Sequence, residues 1–181
     1  MGGTVNHNAT DVIARCLQND RQAQEELYRA HAQRLYHIAL QYTGDRDAAK
    51  DVLQDGFVKI FQSLHKYTGK GALEGWMNRI VANTAIDYLR KHSKMRMVEA
   101  KEQLPDTAEE EESPIHLPLD KMLGLIKQLP EQARIIFNLY VIDNLNHRQI
   151  AEKLSISEGT SKSQYSRARG LLKKWISQTH G

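Results

Sequence analysis

The stretch "QLPDTAEEEESPIHLPLD", starting at Gln103, holds three of the chain's four prolines, and Glu99 to Pro118 carries seven acids against one base. It shows no apolar period, and a run of four glutamates, Glu109 to Glu112, has no place in a core. The segment therefore reads as a flexible acidic linker. Whatever the chain folds into has to be built on either side of it. With 181 residues, that means two small domains, each burying proportionally less surface than one large one.

Both sides read as helix. "AQEELYRAHAQRLYHIALQYTGD" repeats apolar side chains at helical spacing through Leu27, Leu35, Ile38 and Tyr42. Gly44 fits the left-handed residue that ends a helix, and Asp45 fits the cap of the next. "DAAKDVLQDGFVKIFQSL" places Ala49, Val52 or Leu53, Phe57, Ile60 and Leu64 on one stripe. After the glycine-rich "KYTGKGALEG", the segment "WMNRIVANTAIDYLRKHSK" is expected to bury Trp76, Ile80, Ala85 or Ile86, and Leu89. Beyond the linker, "LPLDKMLGLIKQLPEQARIIFNLYVIDNL" gives two helices, the second starting near Pro130. No segment alternates as a strand would. The expected fold class is all-α, with residues 1–9 disordered, helical domains at 10–96 and 119–178, and a linker at 97–118.

The last stretch narrows the function. "NHRQIAEKL" opens with Asn146 and Gln149 in the spacing of a capping box, and Ser157 can cap the final helix. Two short helices, a tight turn with Ile156 pointing inward and the small Ala151 at the crossing make a helix-turn-helix. On the last helix, Ser161, Tyr165, Ala168 and Leu172 share the inward face. That phase turns Thr160, Lys162, Ser163, Ser166 and Arg167 outward, with Ser157 at the helix start. Asn146 to Lys174 carries seven bases against two acids. Such a face suits the major groove, Lys162 and Arg167 taking phosphates or guanine edges and the small hydroxyls allowing close backbone approach. A solvated face of salt-bridging bases is the plain alternative, but acids four residues before those bases are mostly missing.

Other classes fit less well. The single cysteine, Cys16, excludes a disulfide framework and a Cys-rich zinc site, and suits a reducing compartment. No apolar run approaches membrane-spanning length, and "MGGTVNHNATD" lacks the apolar core of a signal peptide. A cytoplasmic chain without membrane insertion is expected. Eight histidines are scattered without ligand spacing, and no nucleophile motif occurs. No catalytic residue, metal or cofactor is expected, and the chain is not expected to be an enzyme. A helix-turn-helix regulator that binds duplex DNA without joining a polymerase stays open at this point, though no alternating strands suggest an effector domain.

The N-terminal half adds a resemblance. "DAAKDVLQDGFVKIFQSL" followed by "WMNRIVANTAIDYLRK" resembles region 2 of bacterial RNA polymerase sigma factors of the extracytoplasmic-function (ECF) class. "LPEQARIIFNLYVIDNLNHRQIAEKLSISEGTSKSQYSRARGLLKK" resembles region 4 of the same class, and the acidic linker stands where region 3 is missing. The resemblance implies a transcription initiation factor that binds core RNA polymerase, places its recognition helix on the −35 element and captures the melted −10 element. Asp51, Gln54 and Asp55 match positions that dock on the polymerase clamp. The −10 element, as melted non-template strand, would meet the loop from Tyr67 to Ala72 and the helix after it. Tyr67, Thr68, Lys70, Asn78, Arg79, Asn83 and Arg90 are the candidates there, with Tyr67 equally readable as a core anchor and Trp76 as core. Lys91, Lys94 and Arg96 would meet duplex phosphates just upstream or solubilise a helix end.

The resemblance also implies an anti-sigma factor as a further partner, and a linker that threads the polymerase as a mimic of nucleic acid. Two departures stand out. The family has a branched apolar residue where Ser161 stands and an aliphatic one where Tyr165 stands, so their polar groups need partners if buried. Position 164, often basic, is Gln164.

Overall fold

The computed structural model describes residues 7–92 and 118–179, which form only helices and their connections. The acidic run, Lys94 and Arg96 lie outside the described residues. The chain divides into two compact units, one ending at Lys91 and the other starting at His92.

The first unit holds α1 (His7–Leu17), α2 (Arg21–Thr43), α3 (Arg46–Ser63) and α4 (Leu73–His92), with a single 3-10 turn at Leu64–Lys66. Helix α1 starts at His7, inside the stretch expected to be disordered. The break after α1 is made by Asn19 in the left-handed region, φ 62°, and by Asp20. Asp20 Oδ1 accepts from the backbone N–H of Gln22 at 2.8 Å, and Arg15 holds Oδ2 at 2.8 Å. The neighbouring guanidinium pulls the Asp20 carboxyl below its ordinary range. Gly44, at φ 69°, ends α2 with its N–H on the Leu40 carbonyl, and Asp45 caps α3 through the N–H groups of Asp47 and Ala48. Both punctuation marks read from the sequence hold.

Burial follows helical spacing. Leu27, Leu35 and Tyr42 of α2 pack inward with Ala49, Val52, Leu53, Phe57 and Ile60 of α3 and with Leu64; Ile38 sits half-buried at the edge. Helix α4 corrects the expected phase by one residue. Its inner row is Leu73, Met77, Val81 and Ala85, continued by Ile86 and Leu89, while Trp76 and Ile80 are only half-buried. The reason is a close helix crossing. A Cβ built on Gly56 of α3 would stand 3.0 Å from Val81 Cγ2, so Val81 rather than Ile80 faces α3. Trp76 instead packs on Tyr67, ring centroids 5.6 Å apart.

The second unit holds α5 (Leu119–Gln128), α6 (Glu131–Val141), α7 (His147–Leu154) and α8 (Glu158–Thr179). Ile126, Leu129, Ala133, Ala168, Leu172 and Ile176 form one cluster, with Met122, Phe137 and Trp175 against it. Buried Arg134 donates through Nη1 to the carbonyls of Lys127 at 3.2 Å and Leu129 at 3.0 Å. These are carbonyls at the end of α5 that the helix itself leaves without donors. No helix among the described residues is long and apolar enough to cross a membrane.

Candidate functional site

Helices α7 and α8 are placed by their caps. Asn146 Oδ1 accepts from the Gln149 N–H and Gln149 Oε1 accepts from the Asn146 N–H, each at 2.9 Å, closing the expected capping box. Ser155 ends α7 in the left-handed conformation, φ 56° and ψ 47°. Ser157 Oγ then accepts from the Thr160 N–H at 3.0 Å and opens α8.

On α8 the structure keeps most of the expected outward face and moves one member inside. Ser157, Lys162 and Arg167 are exposed, and Ser163 and Ser166 are half-buried. Thr160, expected outward, is only 7% exposed. Its hydroxyl lies 2.9 Å from Ser157 Oγ, so it serves the cap that starts the helix rather than a free surface. Ser161 and Ala168 are buried as expected, and Gln164 joins them with its Oε1 unpartnered. Gln164 is thus a core residue, and the absence of a basic side chain there removes nothing from the surface. Lys162 and Arg167 make no ion pair within 4.0 Å among the described residues, whereas Arg148 of α7 is paired with Glu152 at 3.2 Å. Unpaired cations on an acid-poor face are available for phosphates. Lys162→Ala and Arg167→Ala should each weaken duplex binding and lower the log–log salt slope by about 1 if the contact is to phosphate. A salt titration of binding reads this directly; an unchanged slope in both variants would place the contacts elsewhere.

In the first unit α3 presents Asp51, Gln54 and Asp55 to solvent, opposite its buried stripe. Val58, half exposed at 50%, continues the same row one turn on. Sequence reasoning missed it because an aliphatic residue on a helix reads as core. Asp51 Oδ2 accepts a long bond from Tyr88 Oη of α4 at 3.4 Å, so its carboxylate is oriented from behind. Burial and that carboxylate push the Tyr88 phenol pKa up.

The loop before α4 is held shut by its own side chain. Tyr67 Oη donates to the Gly71 carbonyl at 2.8 Å, and Gly69 and Gly71 have φ of 74° and 88°. Such values favour glycine. Thr68 and Lys70 sit exposed at the tip. Tyr67 anchors the loop in this structure, half-buried against Trp76. Asn78 is half-buried, and with its amide turned so that Oδ1 faces α2 it accepts from Arg34 Nη2 at 2.9 Å and donates to the Glu74 carbonyl at 3.0 Å. Arg79, Asn83 and Arg90 are exposed. Asn83 lines a cleft of about 350 Å³ with Lys59, Gln62, Ser63, Lys66, Ile80 and Thr84. Lys59, Gln62 and Lys66 were missed, although their spacing of three to four along the end of α3 and the following turn was there to be read. Lys59 is paired with Asp87 at 3.3 Å.

Two histidines respond to acid. Burial pushes His31 of α2 and His147 of α7 down, the second helped by Lys162. In each the folded state binds its proton less readily than the unfolded chain. The stability they allow is complete above the ordinary histidine value of about 6.5 and is lost as pH falls from there through the lowered value. Thermal unfolding at pH 7.5 and 5.5 should show lower midpoints in acid, and His31→Gln should reduce that drop. An equal drop in the variant would remove His31 from the account.

Comparison with known proteins places these units. The Sigma-70 region 2 profile matches residues 27–95, and the Sigma-70, region 4 profile matches 119–172. The chain is 30% identical over 159 residues to ECF RNA polymerase sigma factor SigE of Mycolicibacterium smegmatis, covering 85% of this chain and 62% of that protein's length. It is 30% identical over 153 residues to ECF RNA polymerase sigma factor SigM of Bacillus subtilis, covering 82% of this chain and 92% of that one. Among solved structures, the sigma factor RpoE of Bartonella quintana, in complex with the anti-sigma factor NepR, aligns with a TM-score of 0.50 at 20% identity, over 84% of this chain and 96% of that chain. That likeness concerns the fold. Matches to both regions in the expected order, and a relative covered almost end to end, carry the assignment: the chain belongs to the ECF family of RNA polymerase sigma factors.

Proposed function

We propose that this chain is a transcription initiation factor that docks on core RNA polymerase through the exposed row of α3, reads the −35 element with α8 and captures the melted −10 strand beside α4. The observation that carries the reading is the pairing, in one chain, of an outward polar row on α3 with an acid-poor recognition face on α8. A free regulator would have use for the second and none for the first. Strand capture falls to the loop tip, Thr68 and Lys70, with Arg79, Asn83, Arg90 and the cleft below. Bases extruded from a duplex need a pocket and backbone contacts that offset the loss of stacking.

The chain itself carries out no bond chemistry in this reading. It works in the cytoplasm, where the polymerase is, and an anti-sigma factor is its expected regulator. Two domains on one tether also gain from each other, since the second DNA contact becomes intramolecular once the first is made. The test is gel filtration with purified bacterial core polymerase, followed by transcription from fragments of the source genome. Co-elution and start sites absent with core alone support the reading. A chain that binds duplex DNA but elutes apart from core is a helix-turn-helix regulator instead.

A further inference from the structure

At the root of the recognition helix lies a polar contact that neither docking nor strand capture uses. Ser161 is fully buried, at a position a branched apolar side chain would fill without needing a partner. Its Oγ lies 2.9 Å from His147 Nδ1. His147 is the first residue of α7, beside the Asn146 cap, so the capping box fixes its backbone. Its ring stacks on Tyr140 of α6 at 4.8 Å and meets Tyr165 of α8 edge-on at 5.6 Å. Tyr140 and Tyr165 are themselves 4.4 Å apart, and the Arg169 guanidinium lies 6.0 Å from the Tyr165 ring centre. One imidazole on α7 therefore touches two other helices, α6 and α8.

Apolar packing holds helices together but tolerates small rotations. A hydrogen bond has a direction, and losing this one would leave the buried Ser161 hydroxyl without its His147 partner. The bond to Ser161 ties α8 to the start of α7 one residue before Lys162 and two before Ser163. Groups that read a ligand must be held to within about 0.5 Å to discriminate.

We propose that His147, acting through Ser161, is a positioning residue that sets the rotation of the recognition helix and so the sequence discrimination of duplex binding. This rests on the reading of α8 as the helix that meets duplex DNA. The titratable and charged groups around the imidazole are Tyr140 from α6 and Glu158, Lys162 and Tyr165 from α8. Burial and Lys162 disfavour the imidazolium while Glu158 favours it. A neutral ring can accept the Ser161 hydroxyl proton at Nδ1, whereas a protonated one can only donate there and sets a second cation beside Lys162.

The test uses the full chain assembled with core polymerase and duplexes selected from a randomised pool by the wild type. The readout is the ratio of affinity for a selected duplex to that for its scrambled sequence. His147→Phe keeps a ring on Tyr140 and deletes the nitrogen. His147→Asn keeps a polar group within reach of Ser161, and Ser161→Ala removes only the hydroxyl. His147→Phe should lower the ratio about tenfold, comparable to losing one good base contact, with Ser161→Ala moving it the same way. His147→Asn should stay within about threefold of wild type and lack the decline in ratio that the wild type shows as pH falls below about 6.5 toward its lowered pKa. If His147→Phe lowers the folded fraction, Ser161→Ala carries the comparison. Ratios within about twofold of wild type in both deletions overturn the proposal, as does a His147→Asn variant as impaired as His147→Phe. If the wild type assembles with core but enriches no duplex, the DNA reading of α8 fails and the proposal with it.

Discussion

Gly56→Leu should unfold the first helical unit and leave the second standing. The α3–α4 crossing leaves no room at this position, since even a Cβ would come within 3.0 Å of Val81 Cγ2. Alanine makes the opposing terms visible. It gains about 1 kcal/mol of helix propensity over glycine, while overpacking a filled core costs about 1–3 kcal/mol. Val81 cannot swing aside, because a β-branched residue within a helix has essentially one rotamer. Gly56→Ala should therefore lose about 1 kcal/mol net. Leucine adds three further carbons at the same spot and has to push the helices apart, exposing Val52, Phe57 and Met77. A loss above about 3 kcal/mol is then a large share of what a unit of this size possesses. Amide exchange resolves the units: protection should vanish in α2, α3 and α4 and persist in α6 and α8. Wild-type protection throughout would mean that α3 and α4 are not clasped at Gly56.

Asp51→Ala, Gln54→Ala and Asp55→Ala combined should weaken association with core polymerase about a hundredfold, roughly 1 kcal/mol for each side chain removed from the interface. All three are exposed, so the thermal midpoint of the unit should move by only a few degrees, the one internal bond lost being the long Tyr88–Asp51 contact. That separation gives the prediction its force, because a fall in affinity without a fall in stability locates an interface. Val58→Asp belongs in the same series, placing a charge on the apolar end of the row. If the triple variant co-elutes with core as the wild type does, the docking face lies elsewhere in the molecule.

The helices, their caps and the two-part organisation were legible because each rests on local chemistry. Gly44, Asp45, Asn146, Gln149 and Ser157 act on backbone groups within a few residues of themselves, and the sequence displays such neighbours directly. Phase and partnership were less legible, since they depend on what comes from elsewhere in the chain. The inner row of α4 runs through Val81 rather than Ile80 because a glycine on another helix admits it. Asn78 turns to Arg34, from a helix more than thirty residues upstream. Thr160 and Gln164 are buried although their types favour the surface. Ser161 and Tyr165 were noted as unusual without a reason; the reason, His147 and Tyr140, is a tertiary contact that helical spacing does not encode.

The seat of Trp76 has a spectroscopic consequence. The chain has two tryptophans, one in each unit. Trp175 packs half-buried against the cluster around Leu172, while Trp76, also half-buried, lies on Tyr67, at the base of the loop that Tyr67 closes. With Trp175 changed to phenylalanine, the remaining emission comes from that base. Indole fluorescence shifts with the polarity and stacking of its surroundings, so the protein carries its own dye beside the place where a strand would settle. A stopped-flow trace of this emission would time the arrival of an oligonucleotide without any attached label.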